Sequence, residues 1–371
     1  MRIGVPKEIK NHEYRVGLIP FSVKELIDHG HDVTVQTNAG AGIGFSDDDY
    51  RCAGATIVDN APEIFAKADL IVKVKEPQPV ECKMLREGQL LFTFLHLAPD
   101  PKQTELLLAS GCTAIAYETV TDRHGRLPLL LPMSEVAGRL SIQAGAHYLE
   151  KANGGRGLLL SGVPGVEAAE VLVLGGGVAG TAAIRIATGV GAHVTVLEKS
   201  LPRLRELDSE FGSKLNTVVS THGSVAQYVK HADLVIGAVL IPGAAAPRLI
   251  TKEMLKTMHA GSVIVDIAID QGGCCETSHP TTHEKPTYIV DGVIHYCVAN
   301  MPGAVPRTST FALNNATLPF TLKLANFGAK TALLSDPHFL NGLNVCCGRL
   351  TNEPVAQALN LKYVKPEIVL K

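Results

Sequence analysis

Val171-Leu-Val-Leu174 runs directly into Gly175-Gly-Gly177-Val-Ala-Gly180 and on through Thr181–Thr188. Consecutive apolar residues of this kind read as a strand buried on both faces, the habit of parallel sheets. The glycines then satisfy G-x-G-x-x-G at a strand-to-helix turn. Gly175 permits the tight turn, Gly177 lets the backbone approach a pyrophosphate, and Gly180 allows the helix to pack closely on the strand. Free N–H groups in the first helical turn, including those at Val178 and Ala179, and the helix dipole favour an anion there. The next strand, His193–Leu197, ends at Glu198, close to the ~20-residue spacing at which a carboxylate accepts hydrogen bonds from an adenosine ribose. The segment therefore reads as a Rossmann dinucleotide-binding unit. Glu198 leans toward NAD, while Lys199, Arg203 and Arg205 follow closely and supply charge that suits a 2′-phosphate.

Working outward, the alternation continues with Thr217–Val219, Leu234–Val239 and Val263–Ile267, so the second sheet is expected to be parallel. Before it, Ile3–Val5, Asp32–Gln36, Leu70–Val74, Leu90–Leu95 and Thr113–Tyr117 form a separate series of strands alternating with helical stretches such as Val23–His29. Ser134 suits an N-cap for a helix over Glu135–Lys151, and a helix over Ala312–Phe327 carries the chain back to the first domain. The expectation is an α/β protein of two doubly wound parallel-sheet domains. One spans 1–130 plus 308–371, and the Rossmann domain, 131–307, is inserted in it.

Composition excludes several classes. At 371 residues the chain suits two domains, and 46% hydrophobic with 19% charged residues is the profile of a packed globular protein. A formal charge of −2 offers no basic excess for nucleic acid or an anionic membrane surface. The longest apolar run stops at Arg185, short of the ~20 residues that span a bilayer. The N-terminus reaches Lys7, Glu8 and Lys10 without an apolar segment, so a cytoplasmic location is the default. Eight cysteines, including the adjacent pairs Cys274-Cys275 and Cys346-Cys347, show no C-x-x-C. They read as reduced thiols rather than a disulfide framework or a zinc site, and no metal is expected.

Dispersed motifs narrow the reading. Gly4-Val-Pro-Lys-Glu8, Asn11-His-Glu-Tyr-Arg-Val16, Val74-Lys-Glu-Pro77, Thr93-Phe-Leu-His96, Leu131-Pro-Met-Ser-Glu135, Asp266-Ile-Ala-Ile-Asp-Gln-Gly-Gly273, Asn300-Met-Pro-Gly303 and Asn314-Asn-Ala-Thr317 occur in order along nearly the whole chain. Together they resemble the alanine dehydrogenases, with nicotinamide nucleotide transhydrogenase subunits as cousins. The resemblance implies NAD-dependent, reversible oxidative deamination of L-alanine to pyruvate and ammonium, with hydride transfer in the cleft between the domains. It also implies a homo-oligomer, a hexamer in the family.

Oxidising an α-amino acid requires binding its carboxylate, deprotonating its ammonium, removing hydride from Cα and delivering water to the imine. By the resemblance, Arg15 binds the carboxylate with its planar fork, and Lys75 is a substrate ligand that stabilises a developing oxygen charge. Lys73, two residues earlier on the same strand, is the alternative if the register differs. His96 is the acid/base, since imidazole titrates nearest neutral pH. Asp270 orients water or assists proton transfer, its plainer role being an N-cap before Gln271. Asn300 contacts substrate and Met301 the nicotinamide. Cofactor contacts are further implied at Ser134, Ser220, Val239, Leu240 and Ile267, and at Asp270 as well, beside Gly175, Gly177, Val178, Ala179, Gly180, Glu198, Lys199 and Arg203.

Three other features read as structural. Pro280 inside His279-Pro-Thr-Thr-His283 disrupts the helix a metal pair needs, Asp47-Asp-Asp49 caps a solvated helix, and Cys274-Cys275 reads as buried thiols. Two other functions compete with the dehydrogenase. A transhydrogenase subunit exchanges hydride between nucleotides and needs neither His96 nor Asp270. A non-enzymatic NAD sensor needs none of Arg15, Lys75, His96 and Asp270.

Overall fold

A computed structural model describes residues 1–239 and 246–371. The chain divides into two compact units, Met1–Met133 with Val305–Lys371, and Ser134–Ala304.

The first unit begins with β1 (Arg2–Val5), β2 (Asp32–Gln36), β3 (Thr56–Val58), β4 (Leu70–Val72), β5 (Leu90–Thr93) and β6 (Thr113–Ala116). The second holds β7 (Glu170–Leu174), β8 (His193–Glu198), β9 (Leu215–Val219), β10 (Leu234–Gly237), β11 (Val263–Asp266), β12 (Thr287–Val290) and β13 (Val293–Tyr296). After it the chain returns to add β14 (Leu343–Cys346) and β15 (Arg349–Leu350) to the first sheet. The strand orders are β15-β14-β6-β5-β4-β1-β2-β3 and β12-β13-β11-β10-β7-β8-β9.

Each order reverses at one point, between β1 and β4 in the first sheet and between β7 and β10 in the second. In open α/β sheets the crevice outside the carboxyl ends of strands at such a reversal is where ligands bind. Both sheets are buried on two faces there: β4, β5, β6, β10 and β11 have no exposed residue. Apolar clusters around Ile64, Phe65, Leu91 and Leu107, and around Leu172, Val235, Leu255 and Ile264, supply the burial.

The sheets are mostly parallel but carry antiparallel edges, which departs from the wholly parallel expectation. β14 runs antiparallel to β6 as the chain returns to the first sheet, and two tight hairpins supply the other antiparallel pairs. Asp291-Gly292 (φ 48° and 80°) joins β12 to β13, and Cys347-Gly348 (φ 49° and 68°) joins β14 to β15. Both central residues lie in the left-handed region, as a two-residue type I′ turn demands. A second departure concerns Ser134. The helix there runs Leu131–Leu149, so Ser134 lies inside its first turns and is not an N-cap. Pro132 does not delay the start, because a proline in the first turn lacks only an N–H that has no intrahelical acceptor.

Candidate active site

In the first unit, Arg15, Lys75 and His96 lie on the loops that follow the carboxyl ends of β1, β4 and β5, three neighbouring central strands. Backbone and carboxylate contacts tie two of these loops together. Thr93 Oγ1 donates to the Lys75 carbonyl (2.9 Å), and Phe94 N–H donates to the Val74 carbonyl (3.2 Å). Glu8, on the loop after β1, accepts the N–H groups of Val74 (2.7 Å) and Lys75 (3.3 Å) through Oε1.

Burial and ion pairing distinguish the two lysines. Lys73 is fully buried, its ammonium held by Glu8 Oε2 (3.0 Å) and Glu81 Oε1 (2.8 Å). Burial alone would lower its pKa, but the two carboxylates outweigh it and keep the ammonium charged. Lys73 is thus held as a buried structural cation, whereas Lys75 keeps part of its side chain at the surface. The Lys75 Nζ lies 3.7 Å from Glu76, which also pairs with Lys10. Burial would raise the Glu76 carboxyl, yet Lys75 and Lys10 together hold it below its ordinary value.

Arg15 is buried and clamped side-on by Glu13, through Nε to Oε1 at 2.7 Å and Nη2 to Oε2 at 2.6 Å. Its Nη1 lies 3.2 Å from Met133 Sδ. The Nε/Nη2 side of the fork is therefore engaged within the protein.

His96 is 44% exposed and stacks on the buried ring of Phe94, with centroids 5.7 Å apart and planes 6° from parallel. Its φ is 49°, a conformation a non-glycine residue adopts at a cost of about 1–3 kcal/mol. Glu118, in a short turn after β6, accepts the His96 N–H at 2.6 Å and the Leu95 N–H at 3.2 Å. Sequence reasoning missed Glu118, and the signal was present: a carboxylate two residues past the end of a strand that neighbours β5.

In the second unit the glycine turn follows β7 and the loop carrying Val239 follows β10, across the strand-order reversal. Gly175 has φ 96°, and a Cβ there would lie 3.1 Å from Val239 Cγ2. A Cβ on Gly180 would strike the Gly175 carbonyl oxygen at 1.8 Å, whereas one on Gly177 would meet nothing within 4 Å. The turn thus leaves an open cradle above the N-terminus of the helix Val178–Gly189, where the first-turn N–H groups of Val178 and Ala179 have no intrahelical acceptor and suit a pyrophosphate.

Glu198 sits beside that cradle, one oxygen accepting the Gly176 N–H (2.8 Å) and the other the Ser200 N–H (2.9 Å). Each carboxylate oxygen has two lone pairs, so this anchoring is compatible with accepting ribose hydroxyls as well. Ser220 lies next to it, its N–H on the Glu198 carbonyl at 3.0 Å. Arg203 folds over the turn, donating to the Gly176 carbonyl (2.8 Å), Thr181 Oγ1 (2.8 Å) and Glu206 (2.5 Å). Lys199 is exposed. Leu240, a proposed cofactor contact, lies outside the described residues.

Asp270 is exposed in a 3₁₀ turn, Ile267–Gln271, that also carries the half-buried Ile267 and follows β11. It lies inside this turn, so the N-cap reading does not hold. Beneath the turn, Asp266 is fully buried, its Oδ2 accepting the Cys274 N–H (2.8 Å) and the Ser278 hydroxyl (2.6 Å). Asn300 follows β13 with φ 67°, its carbonyl accepting from Gly303 N–H and facing His283 Nε2 at 3.2 Å. Met301 beside it is buried.

Comparison with known proteins agrees along the whole chain. Residues 4–137 match the family profile "Alanine dehydrogenase/PNT, N-terminal domain" and residues 141–353 the corresponding C-terminal domain. The chain is 60% identical to an alanine dehydrogenase of Halomonas elongata over 98% of both chains, and 54% identical to one of Methanococcus maripaludis over the full length of both. A solved L-alanine dehydrogenase superposes with a TM-score of 0.94 at 52% identity, covering 97% of this chain and 99% of its own. A transhydrogenase from Sinorhizobium meliloti is more distant, at a TM-score of 0.82 and 25% identity over 94% of this chain and all of its own. With both halves matched in order and relatives at 54–60% identity spanning 98–100% of its length, the chain belongs to the alanine dehydrogenase/PNT family.

Proposed function

We propose that this chain is an NAD-dependent L-alanine dehydrogenase, converting L-alanine reversibly to pyruvate and ammonium. The observation that carries the reading is the gathering of Arg15, Lys75 and His96 on adjacent loops at the first sheet's strand-order reversal, in a chain this close to alanine dehydrogenases. The transhydrogenase reading is weaker, since exchanging hydride between nucleotides requires no acid, base or water.

Bound NAD supplies the hydride acceptor for the alanine Cα–H and, reduced, the donor in reverse. The second unit holds it through the glycine turn, Glu198, Ser220, Val239, Ile267 and Met301, with Ser134 and Lys199 as further contacts. Arg15, held in place by Glu13, binds the substrate carboxylate. Lys75 stabilises the oxygen that develops as water adds to the imine carbon. His96 takes the ammonium proton and passes it to solvent, then takes a proton from the attacking water and returns it to the nitrogen, which leaves as the C–N bond breaks. Asp270 orients the water, and Asn300 contacts the substrate.

The enzyme works in the cytoplasm as a homo-oligomer, a hexamer by family resemblance, on a small amino or keto acid and without nucleic acid or membrane. The deciding experiment follows NADH formation with a panel of L-amino acids. L-Alanine giving the highest kcat/KM is the expected result; absence of NADH with alanine, when another amino acid supports turnover, overturns the reading. Light scattering that returned only a 39.4 kDa species would overturn the oligomer.

A further inference from the structure

Cys346 and Cys347 occupy the end of β14 and the first position of the hairpin turn to β15. Successive residues of a strand point to opposite faces, so adjacent cysteines ordinarily keep their sulfurs apart. Here the left-handed φ of 49° at Cys347 turns the chain, and the two Sγ atoms come within 3.6 Å. Cys347 is exposed, while Cys346 is buried, with its Sγ 3.6 Å from Thr113 Oγ1. One sulfur is therefore open to solvent and the other lies directly behind it.

The pair is poorly suited to closing on itself. Adjacent Cα atoms sit about 3.8 Å apart across a trans peptide, below the ~4.4–6.8 Å that a relaxed disulfide spans, and both cysteines are free thiols. A single larger atom that bonds both sulfurs avoids that strain. Among the described residues no group of three or more His, Cys, Asp and Glu gathers to hold a metal ion, so the pair stands as a two-point sulfur chelator. The other adjacent pair, Cys274-Cys275, is fully buried and offers no such entry. Cys52 is exposed without a neighbouring sulfur in hydrogen-bonding reach among the described contacts.

We propose that Cys346 and Cys347 form a dithiol site for trivalent arsenicals of the type R–As(OH)2. Each thiol displaces one hydroxyl: two S–As bonds form, two As–O bonds break, and the two thiol protons leave in two molecules of water. Arsenic stays trivalent and no electron is transferred. Cys347 reacts first because it is exposed, and Cys346 closes the ring. The site lies beside Thr113, at the start of β6, whereas Glu118 and the loop of His96 lie beyond the opposite ends of β6 and β5. It is thus separate from the proposed catalytic groups.

The test treats the reduced full-length protein with one equivalent of phenylarsine oxide, removes free reagent and measures intact mass. One arsenical per chain is expected, stable to excess 2-mercaptoethanol and released by 2,3-dimercaptopropanol. Cys347→Asn keeps a residue suited to the left-handed turn position, and Cys346→Ser removes the inner sulfur. Each should weaken retention by about 10² or more, because the second bond is intramolecular only when both sulfurs are present. Cys52→Ser should retain the arsenical as wild type does. Undiminished retention in folded Cys347→Asn, or release by the monothiol, overturns the assignment.

Discussion

The Glu118 carboxylate accepts the His96 backbone N–H at 2.6 Å while His96 sits at φ 49°. A strained backbone of this kind persists only where its surroundings over-determine it, and Glu118 does so by gathering two successive N–H groups. Its Oε1 also lies 4.0 Å from His96 Nδ1. Glu118→Ala should release the loop and lower kcat for alanine by roughly 10- to 100-fold, the scale of an ångström-level misplacement. Glu118→Gln keeps an acceptor and should recover much of the loss, with KM for NAD unchanged in both. Equal loss in the two variants would show that charge rather than loop geometry is what Glu118 contributes.

Replacing the proposed proton-transfer groups tests the chemistry itself. His96→Ala and Asp270→Asn should each lower kcat for alanine by about 10² to 10⁴, as removal of general acid/base function does. NADH affinity, measured by fluorescence titration, should change little. Both side chains are exposed, so neither substitution opens a cavity. Turnover within a few-fold of wild type would return both residues to surface roles.

How far the sequence could be read follows from what each feature depends on. β7, the glycine turn and β8 were legible because apolar runs and glycine spacing are local signals. β3 and the β14–β15 hairpin were not, since strands of two to four residues carry too little pattern to stand out. Lys73 and Lys75 share one strand-derived alternation, and only the buried carboxylates Glu8 and Glu81 separate them. Glu13 clamping Arg15, and Glu118 holding the His96 loop across 22 positions, are tertiary facts that no residue type announces.

Asp266 gives a pH dependence with a definite sign. Burial raises its carboxyl above the ordinary value, against the lowering effect of the bonds from Ser278 and Cys274. The folded state therefore holds the proton more tightly than the unfolded chain, whose carboxyl titrates near pH ~3.9. Stability from this group is fully present below that pH and is lost as pH rises through the raised folded value. Asp266→Asn removes the titration. Its melting temperature relative to wild type should climb as pH increases from acid to neutral and then level off. A difference that stayed flat with pH would mean that Asp266 is ionised throughout.

Cofactor choice turns on Glu198. Its carboxylate is anchored beside Gly176, where the 2′-phosphate of NADP would bring like charge within about 4 Å, at a cost of roughly 1–4 kcal/mol. Since ~1.4 kcal/mol is tenfold, NAD should be favoured in kcat/KM by about 10- to 10³-fold. Arg203 offsets this little while its guanidinium remains on Gly176, Thr181 and Glu206. Glu198→Ser should narrow the ratio and Glu198→Arg narrow or invert it. Comparable use of both nucleotides by the wild type would remove Glu198 from its proposed role.

Two glycines of one turn should fail in different ways. A Cβ on Gly180 would lie 1.8 Å from the Gly175 carbonyl oxygen, a backbone atom that cannot swing aside, so Gly180→Ala must displace the helix from the strand. Overpacking of that kind costs about 1–3 kcal/mol, and a lowered melting temperature should appear without any nucleotide present. Gly177 has an ordinary φ of −69°, and a Cβ there would meet no protein atom within 4 Å. Gly177→Ala should therefore melt as wild type does. Its methyl, however, enters the space proposed for the pyrophosphate, so NAD should bind at least ~10-fold more weakly, the equivalent of about 1.4 kcal/mol. Calorimetric titration of both variants separates the effects. Wild-type NAD affinity in Gly177→Ala would show that the pyrophosphate does not lie against this turn.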